Sequence, residues 1–181
     1  MPDLELSREI ELLSRLVEIN SDANLKTGYV ECADLIRKEV EAIGLKTETY
    51  DSAELSVDKK PRPNVVARLD VGADQNILIA THYDVVPAGS AWRHEPFKLT
   101  IEGNRAFGRG AADNKGAIVS VVGALRQLKT IEPRANVLFL ASPEEEVGGE
   151  LGLGYLVNHV KISGDAAIVV DSSPTVVSIG A

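Results

Sequence analysis

The stretch ATHYDVVP (80–87) sets His82 and Asp84 two residues apart, directly after the apolar run Ile77-Leu78-Ile79-Ala80. In extended chain, residues i and i+2 share a face, so imidazole and carboxylate point the same way where a strand meets solvent. Such a pair is either a hydrogen-bonded surface pair or a metal ligand with the carboxylate that orients it. Carboxylates recur in comparable places. GRGAADNKG sets Asp113 just before a helical pattern, SPEEEVGG follows an apolar run with Glu144, Glu145 and Glu146, and AAIVV runs into Asp171. Each has a plain structural alternative. Asp113 could cap a helix, the three glutamates could be a solvated run or a first-turn acidic cluster, and Asp171 could cap a turn before Pro174. Gathered at one place, however, carboxylates with few basic neighbours repel one another unless a cation sits among them. A mixed His and carboxylate set suits Zn²⁺, with Co²⁺ or Mn²⁺ as substitutes. One carboxylate can bridge two such ions about 3.5–4 Å apart, and a spare carboxylate beside a ligand can act as general base.

The elements that must position these groups follow from hydrophobic periodicity. Residues 6–20 place Leu6, Ile10, Leu13, Leu16 and Val17 on one helical stripe, and 27–45 repeat the pattern up to Gly44, a C-cap. KTETY (46–50) alternates as a polar strand, and a charged loop leads to PRP (61–63). NVVARLD (64–70) and NILIATH (76–82) read as strands, the second apolar almost throughout and therefore central. A long Gly- and Pro-rich segment then runs to Gly110, of a length that in compact domains is usually functional. Residues 114–129 form a helix with Ile118, Val122, Leu125 and Leu128 inward. NVLFLAS (136–142) and AAIVVDS (166–172) are buried strands, with a helical pattern at 151–160 between them and a further strand beginning at 175–179. Strands alternating with helices give an α/β three-layer sandwich around a mixed, largely parallel sheet, with ligand sites at the carboxyl ends of its strands. His82, Asp113, the glutamates and Asp171 all fall at that edge.

The chain of 181 residues suits one domain, and its 44% hydrophobic and 25% charged residues are a globular composition. Aromatic content of 4% and a net charge of −8 argue against a nucleic-acid surface, because stacking platforms and phosphate-binding faces need aromatic and basic residues. Cys32, the single cysteine, permits no internal disulfide and sits in an apolar helical pattern as a buried thiol. The start, MPDLELSREIE, has neither a basic nor an apolar leader, and no run approaches a membrane span, so a cytoplasmic protein is expected.

THYDVVPAG, WRHEPF, GRGAADNKG and SPEEEVGG, in this order and spacing, resemble the zinc-dependent amidohydrolases and exopeptidases that include acetylornithine deacetylase, succinyl-diaminopimelate desuccinylase, aminoacylase, carboxypeptidase G and related dipeptidases. The resemblance spans essentially the whole chain. It implies two divalent cations, with His82 binding the first, Asp113 bridging, Asp171 completing the first set and Glu146 binding the second. It assigns Asp84 to orienting the imidazole and Glu145 to the general base, which takes a proton from a metal-bridging water and passes it to the leaving amine. Glu144, where relatives often have Asp, receives no catalytic role. Aspartate at position 171 is similar to aminopeptidases and dipeptidases, whereas glutamate is commoner in deacetylases and carboxypeptidases. The implied substrate is a small N-acyl amino acid or dipeptide-like molecule.

Two departures qualify the likeness. Asn114 stands where many relatives have Asp or Met, and the family's second-metal histidine and dimer-forming lid domain lie beyond VSIGA. His94 and His159 do not match the missing ligand and are expected in surface or packing roles. The chain is thus read as the N-terminal part of the catalytic domain of a protein homodimeric when intact. The competing expectation is a truncated, non-catalytic metal-binding fragment. A sheet cut midway would expose an edge and is expected to self-associate.

Overall fold

The computed structural model describes residues 2–131 and 133–171. A five-stranded sheet has the order β1-β2-β6-β3-β7, from β1 (Lys46–Asp51), β2 (Pro63–Leu69), β3 (Asn76–His82), β6 (Asn136–Ser142) and β7 (Ala166–Val169). β6, β3 and β7 pair in parallel, while β2 is antiparallel to both β1 and β6. All strands but β2 therefore run in one direction, which is the mixed, largely parallel sheet read from the pattern. β3 lies between β6 and β7, in register from Asn76 opposite Asn136 to His82 opposite Ser142.

Three helices cover one face: α1 (Pro2–Glu18), α2 (Tyr29–Ala42) and α3 (Lys115–Leu128). Their core side chains, among them Leu16, Ile36, Val40, Ile118, Val122 and Leu125, pack on Val65, Ala67, Val137 and Phe139 of the sheet. The opposite face carries Val66, Leu78, Ala80, Leu138 and Leu140 against Leu156 and Ile162. Leu156 belongs to the π-helical turn Leu156–Val160 that continues α4 (Leu153–Tyr155), so the third layer is thin on this side. No helix of the described residues is long and apolar enough to cross a membrane.

α2 ends as its glycine requires. Gly44 has φ +87°, its N–H donates to the Glu41 carbonyl, and the Leu45 N–H reaches back to Val40. That is the two-bond C-terminal cap for which glycine is the least strained residue. Cys32 is a buried free thiol.

Four readings need correction. Among the described side chains of α1 the buried positions are Leu12, Leu16 and Val17, while Ile10 is exposed and Leu6 lies outside the described side chains; the stripe is set by packing in the core rather than by the most regular spacing. The segment after His82 holds a two-stranded hairpin, β4 (Thr100–Glu102) and β5 (Arg105–Phe107), whose mostly exposed residues carry no hydrophobic alternation. The helical pattern at 151–160 is shorter and partly underwound, starting at Leu153 and turning π-helical from Leu156. β7 stops at Val169 and is exposed along its length, not buried, because β3 is its only strand partner among the described residues. The strand expected at 175–179 lies outside the described residues.

Candidate active site

β3 and β6 deliver their carboxyl ends side by side, and the chain beyond β3 is held straight for three more residues. Ser21 Oγ donates to the Tyr83 carbonyl at 2.6 Å, and the Val85 N–H donates to the Ser21 carbonyl at 2.9 Å. That pairing fixes Asp84, which is fully buried. His82 Nδ1 lies 3.1 Å from the Asp84 carbonyl oxygen and 3.3 Å from its Oδ1. The same carboxylate accepts the backbone N–H groups of Glu145 and Glu146, each at 3.2 Å. Asp84 thus connects the imidazole to the glutamate turn as well as orienting it.

The other ring nitrogen faces the remaining groups. His82 Nε2 is 3.1 Å from Asp113 Oδ1, 3.7 Å from Glu145 Oε2 and 3.7 Å from Asp171 Oδ1. Ligand atoms of His82, Asp113 and Asp171 lie within 4.8 Å of one another, and so do those of His82, Glu145 and Glu146. Asp84, Asp113, Glu145, Glu146 and Asp171 are therefore gathered around the imidazole of His82. Asp113 does not cap α3: the N-cap is Asn114, and it makes no side-chain cap bond. Neither His94 nor His159 belongs to a ligand group among the described residues: His94 Nε2 is 3.3 Å from Glu102 Oε1, and His159, stacked on Tyr155, lines the cavity beside His82 and Glu145.

The electrostatics of this arrangement favour a positive charge among the carboxylates. Burial alone would depress His82, but the Asp84 hydrogen bond and the charges of Asp84, Asp171 and Glu145 outweigh it and lift the imidazole to about 9. Burial raises Glu145 and Glu146 above ordinary carboxylates; for Glu145, Asp171 and Asp84 add to this against His82, and for Glu146, Asp113 adds most among the charges. His82 Nε2 is buried, and although Asp113 Oδ1 is 3.1 Å away, no contact has the geometry of a hydrogen bond. With a proton on Nδ1 toward Asp84, Nε2 would aim a lone pair at three carboxylates, which is repulsive unless a proton or a cation intervenes. One imidazole with several carboxylates is the donor set of a Zn²⁺, Co²⁺ or Mn²⁺ site, so the residues fit such an ion.

Three features had no signal in the sequence. Asn114, 2% exposed, donates from Nδ2 to the Val170 carbonyl at 2.7 Å and so ties the Asp113 segment to the one carrying Asp171. Lys115 at the start of α3 is buried and donates to the Leu16 and Ile19 carbonyls. Glu144 pairs with Lys26 and Arg62, distant in sequence. It also adopts φ +68°, a left-handed conformation that costs a residue bearing a Cβ about 1–2 kcal/mol. Beside His82 and Glu145 a cavity of about 940 Å³ opens, walled by Ser142, Leu151 and Leu153 and large enough for a small organic molecule.

Comparison with known proteins follows the same lines. The description of peptidase family M20/M25/M40 matches residues 78–180. An uncharacterized metallohydrolase of Methanocaldococcus jannaschii is 34% identical over 167 residues, covering 85% of this chain and 40% of the relative. A succinyl-diaminopimelate desuccinylase of Gluconobacter oxydans is 41% identical over 93 residues, 51% of this chain and 24% of its own. Among solved structures, an M20 family metallo-carboxypeptidase of Sulfolobus solfataricus superposes with a TM-score of 0.77 at 31% identity, covering 91% of this chain and 37% of that one. The chain thus spans about 40% of the length of the first curated relative.

Proposed function

Because the chain belongs to peptidase family M20/M25/M40, we propose that it forms the water-activating half of a metal-dependent hydrolase of amide or peptide bonds. The substrate class is a small N-acyl amino acid or a dipeptide-like molecule. The observation that carries the reading is the buried, unpartnered Nε2 of His82 facing the carboxylates of Asp113, Glu145 and Asp171.

His82, Asp113 and Asp171 would hold one cation, and Glu146 with Asp113 a second, zinc before cobalt or manganese. Bound there, divalent cations supply Lewis acidity that polarises a carbonyl and lowers the pKa of water. Asp84 keeps the proton of His82 on Nδ1 and leaves Nε2 free to ligate. Glu145, half-exposed and beside the cavity, is placed to accept a proton from the attacking water and return it to the leaving amine. Its carboxyl, raised by burial, is better suited to holding that proton than a solvated glutamate. Asp171 tilts the substrate toward dipeptides, following the tendency of relatives with aspartate at this place.

A second reading is favoured by one observation: both candidate ligand groups share the same histidine. On that reading the chain binds metal without turning over substrate. Metal stoichiometry and hydrolysis of N-acetyl and N-succinyl amino acids and dipeptides, measured on the chain supplied with zinc or cobalt, separate the two. Hydrolysis that falls about 10²–10⁴-fold in Glu145→Gln, with metal content unchanged, supports the general base. Metal uptake without hydrolysis supports the second reading, and absence of uptake overturns both.

A further inference from the structure

We propose that Glu144 is a positioning residue whose buried carboxylate, gripped by Lys26 and Arg62, fixes the turn that presents Glu145 and Glu146; the proposal rests on the roles given above to those two glutamates. Glu144 is 7% exposed, and its Oε1 lies 2.7 Å from Lys26 Nζ and 3.1 Å from Arg62 Nε, charge contacts whose geometry does not make hydrogen bonds. The Arg62 side chain, 4% exposed, forks its other end onto Asp58, with Nη1 to Oδ1 at 2.8 Å and Nη2 to Oδ2 at 3.0 Å. A chain of charges therefore runs Lys26, Glu144, Arg62, Asp58 and anchors the glutamate turn to two loops far away in sequence.

The backbone makes the side chain's part legible. Glu144 is left-handed at φ +68°, a conformation glycine takes without steric cost, so what glutamate adds here is its carboxylate. Its carbonyl accepts the N–H groups of Val147 at 3.3 Å and Gly149 at 2.7 Å, closing the 3₁₀ turn Glu145–Val147. The next two N–H groups, of Glu145 and Glu146, go to Asp84. The turn is thus held from one side by Asp84 and from the other by the ion pairs of Glu144. A buried carboxylate between two cations resists displacement, because moving it would leave buried charges unpaired.

The test uses Glu144→Gln, which keeps shape and removes charge, and Glu144→Gly, which relieves the backbone and removes the carboxylate, each against the unaltered chain. Residue-resolved amide exchange on the metal-free chain should rise about tenfold or more at Glu145, Glu146 and Gly149 in both Glu144 variants, with the β3 and β6 amides unchanged. Calorimetric titration with zinc should show about tenfold weaker binding in Glu144→Gln than in the unaltered chain, with an altered visible spectrum of the cobalt-loaded Glu144 variant. Native exchange in Glu144→Gln, native protection in Glu144→Gly, or a rise spread evenly over the sheet would each overturn the proposal. If the unaltered chain takes up no zinc, the reading of the site fails, and the exchange data still decide whether Glu144 holds the turn. Should Glu144→Gln not fold, Lys26→Met puts the same question from the outer contact.

Discussion

Asp84 has more to hold than an imidazole. Its carboxylate, fully buried, meets His82 Nδ1 at 3.3 Å and the N–H groups of Glu145 and Glu146 at 3.2 Å. Asp84→Asn keeps an acceptor but loses the charge that stabilises the ring proton on Nδ1. Zinc affinity should therefore fall about 10–100-fold, the usual cost of disturbing the partner of a ligating histidine, and calorimetric titration would read it. The pH dependence has a definite sign. His82 is lifted from 6.5 to about 9, so the metal-free fold gains stability from the imidazolium below pH 6.5 and loses it as pH rises through 9. A cation needs the neutral ring, so zinc uptake at pH 7 should expel close to one proton, seen as a buffer-dependent binding heat. Unchanged heat in buffers of different ionisation enthalpy would contradict it. At this scale the sequence was informative about His82, Asp113, Glu146 and Asp171, because each follows a strand or precedes a helix that is visible in hydrophobic spacing. It was silent about Lys26 and Arg62, whose meeting with Glu144 is a property of the folded chain alone.

At the scale of elements, the site depends on how α3 enters the sheet edge. Asn114 is buried at its N-terminus and bonds the Val170 carbonyl, while Val170 in turn donates to Ala80 of β3. One amide side chain thus joins the segments bearing Asp113 and Asp171 next to the strand bearing His82. Asn114→Ala would leave that half-buried carbonyl without its partner, at a cost of about 1 kcal/mol. Urea unfolding should show a lower midpoint with an unchanged slope. An unshifted midpoint would mean that water replaces the bond without loss. The strands β3 and β6 could be bounded to the residue from sequence because both are apolar runs ended by polar groups. The hairpin β4–β5 could not, since three-residue exposed strands carry no burial pattern. β7 misled in the other direction: Ile168 and Val169 read as core yet are 54% and 62% exposed, because apolar composition reports a need for cover and not which surface supplies it.

For the whole molecule, the candidate ligands come from four places: the end of β3, the loop before α3, the turn after β6 and the second residue beyond β7. A cation bound among them would cross-link segments that otherwise meet through carboxylates repelling one another. Such an ion binds the folded chain and finds no comparable set in the unfolded one, so its binding free energy adds to stability. At a free concentration about a hundred times its dissociation constant, the gain is about 2.7 kcal/mol. For a chain of this size that corresponds to a rise in Tm of about 5–10 °C. Scanning calorimetry with zinc and with a chelator should show this difference. The same comparison in His82→Gln should show almost none, because the imidazole is common to both ligand groups. An equal rise in that variant would place the ion elsewhere and remove the physical basis for water activation at this sheet edge.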